Sequence, residues 1–203
     1  MTPEDLQVEF QHHKHTGTDS PQISYNDLLD APSSAGWVTL ATNKLTSADA
    51  LLIDTDEHIG SISTDYDLFR VSFYGVASGG NIDIQLVLNN DSGANYDRQK
   101  SKSTGAVVND LTTGGTVIHG VYGAVASGEP VTCEMLIGKA LSGEPAHIIG
   151  HTSYYDVDVA TLARTNFAGR WNNTSSKITR ITISTSANSF AIGSSIIIEG
   201  FKN

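Results

Sequence analysis

Two histidines two residues apart, His13 and His15, are the arrangement in this sequence best suited to chemistry. In an extended backbone, residues i and i+2 project to the same side, so both imidazoles can face one point. One chain then offers two nitrogen ligands, too few for a stable site. Three parallel chains around an axis would offer six, enough for an octahedral iron or another transition ion. An exposed His-rich arm (His12, His13, His15) without metal is the other reading, and the intervening Lys14 cation favours it.

The remaining reactive side chains form no recognisable catalytic set. Carboxylates cluster as Asp54/Asp56/Glu57, Asp65/Asp67 and Asp156/Asp158, without the Gly and bidentate Glu of an EF-hand loop. Solvated turn caps are the expectation for them. Glycoside hydrolysis needs two carboxylates flanking a sugar cleft, and no pair here is marked for it. Cys133 lies in an apolar strand-like stretch and is expected to be a small buried hydrophobe. His119, His147 and His151 lie in or beside strands and read as structural histidines, and Asn172-Asn173-Thr174 reads as a turn. The sequence contains no nucleophile elbow, phosphate-binding Gly loop, HExxH or CxxC. No catalytic residue and no enzyme is therefore expected. Trp37, Trp171, Tyr96, Tyr154 and Tyr155 could stack on a sugar ring, and Tyr96 and Trp171 are the candidate glycan contacts.

The elements that would position these residues are strands. The chain has 203 residues, 39% of them apolar, with 19 Gly and few aromatics. That composition suits Ile/Val/Leu-cored strands joined by tight turns and disfavours long helices. Ile82, Ile84, Leu86 and Leu88 alternate with Asp83, Gln85 and Val87, and Phe69, Val71 and Phe73 alternate likewise. The Gly-containing link between them predicts an antiparallel hairpin of 68–74 with 82–88. Further strands are expected at 37–41, 50–53, 116–125, 131–138, 147–152 and 154–159. Ile178, Ile181 and Ile183 suggest another, and Phe190–Ile192 and Ser195–Phe201 close the domain. The Ile196–Ile198 run predicts a strand covered on both faces. Residues 89–116 read as a long polar loop, with Arg98, Lys100 and Lys102 solvated. The expected fold is all-β, an antiparallel β-sandwich or jelly roll over 36–203. Residues 1–35 form a separate, partly helical or extended arm. Thr2-Pro3-Glu4-Asp5 signals a short helix start there, and Ser24-Tyr25-Asn26-Asp27 resembles a capping box.

A net charge of −10 without a Lys/Arg cluster argues against nucleic acid and against a membrane surface as partners. No apolar run approaches the roughly 20 residues of a membrane-spanning helix. Residues 1–20 lack the apolar core of a signal peptide, so cytoplasmic synthesis without signal-peptide secretion is expected.

His13-Lys14-His15-Thr16-Gly17-Thr18-Asp19-Ser20-Pro21-Gln22-Ile23 resembles the HxHxGxDSxxI segment near the start of tailed-bacteriophage receptor-binding and tail-fibre domains. Phe167-Ala168-Gly169-Arg170-Trp171-Asn172-Asn173-Thr174, with the following Ile178–Ile183 and Asn188–Ser194, is similar to the final strands of jelly-roll-like phage structural proteins. Phe69–Tyr74, Asn81–Leu88 and Gly93–Tyr96 fit the same pattern. The matches touch about half the chain. They imply a virion protein, made in the host bacterial cytoplasm, that forms a homotrimer and meets other virion proteins. In that family His13 and His15 would join those of two partners around an axial metal, iron among the candidates. Tail fibres are long and repetitive, whereas this sequence has no internal repeat, which favours a small spike, a fibre tip or a head-attached decoration. The first expectation is a trimeric tail-fibre or spike module contacting the host surface, with a surface glycan among the candidate partners. A capsid decoration or head-fibre protein anchored by the arm is the alternative, and a carbohydrate-binding module a further one.

Overall fold

A computed structural model describes residues 36–79, 82–103, 107–122, 125, 127–138, 143–158 and 160–202. The arm, with His12, His13 and His15, lies outside the described residues.

The described chain is nearly all β. Its strands are β1 (Gly36–Lys44), β2 (Leu51–Asp54), β3 (Leu68–Ser78), β4 (Asp83–Leu88), β5 (Tyr96–Ser103), β6 (Val107–Gly115), β7 (Ile118–Tyr122), β8 (Pro130–Gly138), β9 (Ala146–Asp156), β10 (Thr161–Trp171), β11 (Ile181–Thr185), β12 (Ser189–Phe190) and β13 (Ser195–Lys202). All pairings are antiparallel. The large sheet runs β1-β13-β3-β8-β9-β10-β5-β6, with β12 on the end of β3, and the small sheet runs β2-β11-β4-β7. The inward residues of both sheets form one core, so the fold is an antiparallel β-sandwich. Phe69, Val71 and Phe73 of β3 point in from one side, and Ile84, Leu86 and Leu88 of β4 from the other. Burying each such side chain stabilises the fold by about 1.5–3 kcal/mol.

The chain changes sheets repeatedly. β1, β3, β8 and β13 belong to the large sheet, and β2, β4, β7 and β11 to the small one. Two hairpins, β5–β6 and β9–β10, pair with each other through β5 and β10 and carry the large sheet four strands beyond β8.

Several expectations are corrected. The segments 68–74 and 82–88 do not form a hairpin: β3 pairs with β13 and β8, and β4 with β11 and β7. Alternation reveals which face of a strand is buried but not its neighbour, and here the two strands belong to different sheets. The supposed loop at 89–116 holds β5 and β6. β5 hides from apolar periodicity because its inward residues after Tyr96 are the cations Arg98, Lys100 and Lys102. Lys100 and Lys102 are paired with Asp110 and Asp156. The segments at 147–152 and 154–159 are one strand, β9, and β10 follows it as a long strand that apolar spacing had not marked. The Ile196–Ile198 run is not covered on both faces, because Ile197 is 46% exposed while its two neighbours are buried. A short helix, α1 (Thr55–Ile59), interrupts the strands after β2, capped by Asp54, whose side chain accepts a hydrogen bond from the Asp56 N–H at 3.1 Å.

Candidate functional site

The two aromatic candidates lie in the core. Tyr96 and Trp171 are directly opposite each other across β5 and β10 and wholly buried, so no sugar ring can reach either face. Tyr96 Oη accepts a hydrogen bond from the Leu88 N–H at 2.9 Å, and burial pushes its phenol up to about 12. Trp171 Nε1 donates to the Asp91 carboxylate at 2.7 Å. Burial alone would raise Asp91, but the bonds from Trp171, Gly93 and Asn95 outweigh it and hold the carboxyl below its usual range.

The carboxylate clusters serve structure. Asp54, nearly buried, pairs with Arg180, which also reaches Asp56 at 3.5 Å. Asp67 pairs with Lys177, and Asp156, wholly buried, pairs with Lys102. No group of three His, Cys, Asp or Glu side chains among the described residues could hold a metal ion. Cys133 faces the core from β8, and burial pushes its thiol well above the usual range, so it is not poised as a nucleophile. His119 Nδ1 lies 2.6 Å from Asp83 at the edge of the small sheet.

Among the described residues, an open feature is the outer face of the large sheet, the face turned away from the small one. Antiparallel registers align its side chains in rows that cross the strands. One row runs Glu199, Arg70, Leu136, Ile149, Ala168. The next runs Ile197, Ser72, Glu134, His151, Asn166. Between and beside these rows lies a hollow of about 610 Å³, lined by Trp37, Arg70, Glu134, Leu136, Ile149, His151 and Asn166 among others. A second hollow of about 470 Å³ shares Glu134 and His151 and extends to Tyr74, Thr132 and Ile197. Volumes of about 300–1,000 Å³ are those of small-molecule sites.

Packing and pairing fix this surface. The Arg70 guanidinium lies 4.7 Å from the Trp37 ring centroid and donates to Glu199 at 2.6 Å. The Glu199 hydrogen bond raises the guanidinium further above its ordinary value, so it stays charged. Phe201 meets Trp37 edge to face at 5.6 Å. His151 Nε2 stands 3.9 Å from Glu134 Oε2. Beneath the hollow, Gly150 lets β9 lie close over Phe167: a Cβ there would come within 2.5 Å of Phe167 Cζ and 2.8 Å of Met135 Cβ. Exposed Ile149 (58%) and Tyr74 (46%) add apolar surface where solvent-facing strand positions are ordinarily polar. The surface can therefore hydrogen-bond through carboxylate, imidazole and amide groups while offering aliphatic and aromatic contact.

Trp37 is the one sugar-stacking candidate that lines a hollow, whereas Tyr154 is buried and faces the core. The sequence does not mark Arg70, Glu134 or Asn166, and its expectation of a structural role for His151 gives way to a position in both hollows. Their only signal in the sequence was outward parity in strands whose other outward positions include Ile149 and Tyr74. Compared with known proteins, the chain matches no family model, no curated protein and no solved structure.

Proposed function

We propose that the chain is a non-enzymatic, jelly-roll virion protein of a tailed bacteriophage, a homotrimeric spike or fibre-tip module that contacts the host surface through the outer face of its large sheet. The order of the sandwich strands carries the jelly-roll part of the reading. Setting aside the hairpins β5–β6 and β9–β10 and the short β12, the remaining eight strands can be numbered along the chain. They fall as 1-8-3-6 in one sheet and 2-7-4-5 in the other. That order supports a jelly roll, the double Greek key of viral capsid and lectin domains. Fold alone does not specify function. The virion assignment rests on the resemblance of His13–Ile23 and Phe167–Thr174 to phage segments. The open, partly apolar outer face supports the contact role.

Light scattering of the purified chain is expected to give three times its 21.6 kDa mass, and a stable monomer would contradict the trimer. Immunogold labelling of particles of the phage that encodes the chain is expected at the tail. Label on the head would assign it as a capsid decoration instead, and unlabelled particles would overturn the virion assignment.

A further inference from the structure

We infer that the hollows on the outer face of the large sheet bind a neutral oligosaccharide lying across the strands, an inference that rests on reading this face as the contact surface.

The first support is the row pattern. Leu136, Ile149 and Ala168 are successive cross-strand neighbours, and Glu134, His151 and Asn166 form the adjoining row in the same order. Neighbours within a row are about 4.8 Å apart, and the rows, two residues apart along each strand, lie about 7 Å apart. A pyranose is divided in the same way, with C–H faces and a rim of hydroxyls. A sugar chain laid across β8, β9 and β10 places C–H faces on the apolar row and hydroxyls on the polar one. A carboxylate only accepts, an amide both accepts and donates, and an imidazole donates from a ring N–H, so the row offers the mixed partners that hydroxyls need.

Aromatic placement agrees. Trp37 borders one hollow and Tyr74 the other, with Glu134 and His151 shared between the two. Both ring types present a large apolar body with a polar tip, suited to sugar C–H faces in water.

Charge selects the class of sugar. Arg70 is committed to Glu199 at 2.6 Å, and His151 stands beside Glu134 at 3.9 Å. The Arg70 cation lining the hollow is thus already matched, and Glu134 and Glu199 place two carboxylates on the same face. A uronate or sialate chain would be repelled rather than steered in. A second copy of this chain docked here would bury the Arg70, Glu199 and Glu134 charges at a desolvation cost, whereas a glycan keeps them hydrogen-bonded.

The test titrates the full chain with neutral gluco-, galacto- and manno-oligosaccharides, and with oligogalacturonate as the anionic comparison. Binding is read by saturation-transfer NMR and tryptophan fluorescence. The expected result is saturable, salt-insensitive binding of at least one neutral series. Binding should weaken about tenfold in Asn166→Ala and in Glu134→Ala, each of which removes a hydrogen-bonding group. It should be unchanged in Leu162→Ala, on the same face but outside the hollows. Failure of all three neutral series, binding of oligogalacturonate alone, or binding indifferent to both variants overturns the inference. If the purified chain blocks phage adsorption yet binds none of the neutral series, the contact reading stands and the ligand class falls. If it binds neutral sugar but is absent from particles, the ligand class stands and the virion reading falls.

Discussion

Tyr96 and Trp171 face each other across β5 and β10, both wholly buried, and each satisfies its polar atom inside the protein. The Tyr96 hydroxyl serves the Leu88 backbone, and the Trp171 indole donates to Asp91 at 2.7 Å. This pair joins the two hairpins that extend the large sheet. Asp91→Ala leaves the indole N–H without that acceptor and removes the bonds to Gly93 and Asn95 as well. The expected cost is about 1–3 kcal/mol in urea unfolding, with sugar binding unchanged. An unaltered midpoint would show that another group replaces the carboxylate.

Gly150→Ala places a methyl group against Phe167 and Met135, both of which hold the floor of the hollow. Overpacking of this kind destabilises by about 1–3 kcal/mol and shifts the strands that carry it. Thermal unfolding is expected at a lower temperature, together with weaker ligand binding. Wild-type values for both would mean that β9 yields without disturbing the outer face.

Arg180 holds the nearly buried Asp54 carboxylate at the start of α1. Removing one partner strands the other charge, and for this part-buried pair Arg180→Ala is expected to cost about 1–3 kcal/mol. The double variant Arg180→Ala/Asp54→Asn, which removes the stranded charge, should recover part of that loss. No recovery in chemical denaturation would place the effect elsewhere than in the pair.

Burial pushes the Asp83 carboxyl up to about 6, against the Ser186 hydrogen bond and the fields of Arg98 and Lys100, which pull it down. A folded value above the unfolded value of 3.8 means that the folded state holds this proton more tightly. The stability it contributes is full below about pH 4 and is lost as pH rises through about 6. Asp83→Asn should flatten this part of the stability profile. A carboxyl carbon titration of Asp83 by NMR is expected to show a midpoint near 6, and a midpoint below 4 would contradict the burial argument.

What the sequence made legible follows the physics of each signal. Alternation in Phe69–Phe73 and Ile82–Leu88 reported one-sided burial correctly, so the all-β class and most strand positions could be read. Pairing partners could not, because the same alternation suits a hairpin and two strands in opposed sheets. β5 was invisible because the cations Arg98, Lys100 and Lys102 replace apolar residues at its inward positions, and what matches two of them, Asp110 across the β5–β6 hairpin and Asp156 on β9, is set by strand pairing. The outer-face rows escaped for a related reason. Glu134, His151 and Asn166 lie on three strands, and only the antiparallel registers bring them together. Tyr96 and Trp171 have rings able to stack on sugar, but their parity, which puts both in the core, is fixed by strands that apolar spacing does not mark.

The central claim, that the outer face of the large sheet is the ligand surface, is tested most directly by NMR shift mapping of the labelled full chain with the neutral oligosaccharide series. The predicted result is that shifts concentrate at Trp37, Glu134, Ile149, His151 and Asn166, while Ile84, Leu86, Ile181 and Ile183 of the small sheet stay still. Shifts centred on the small sheet, or none at saturating sugar, would contradict it.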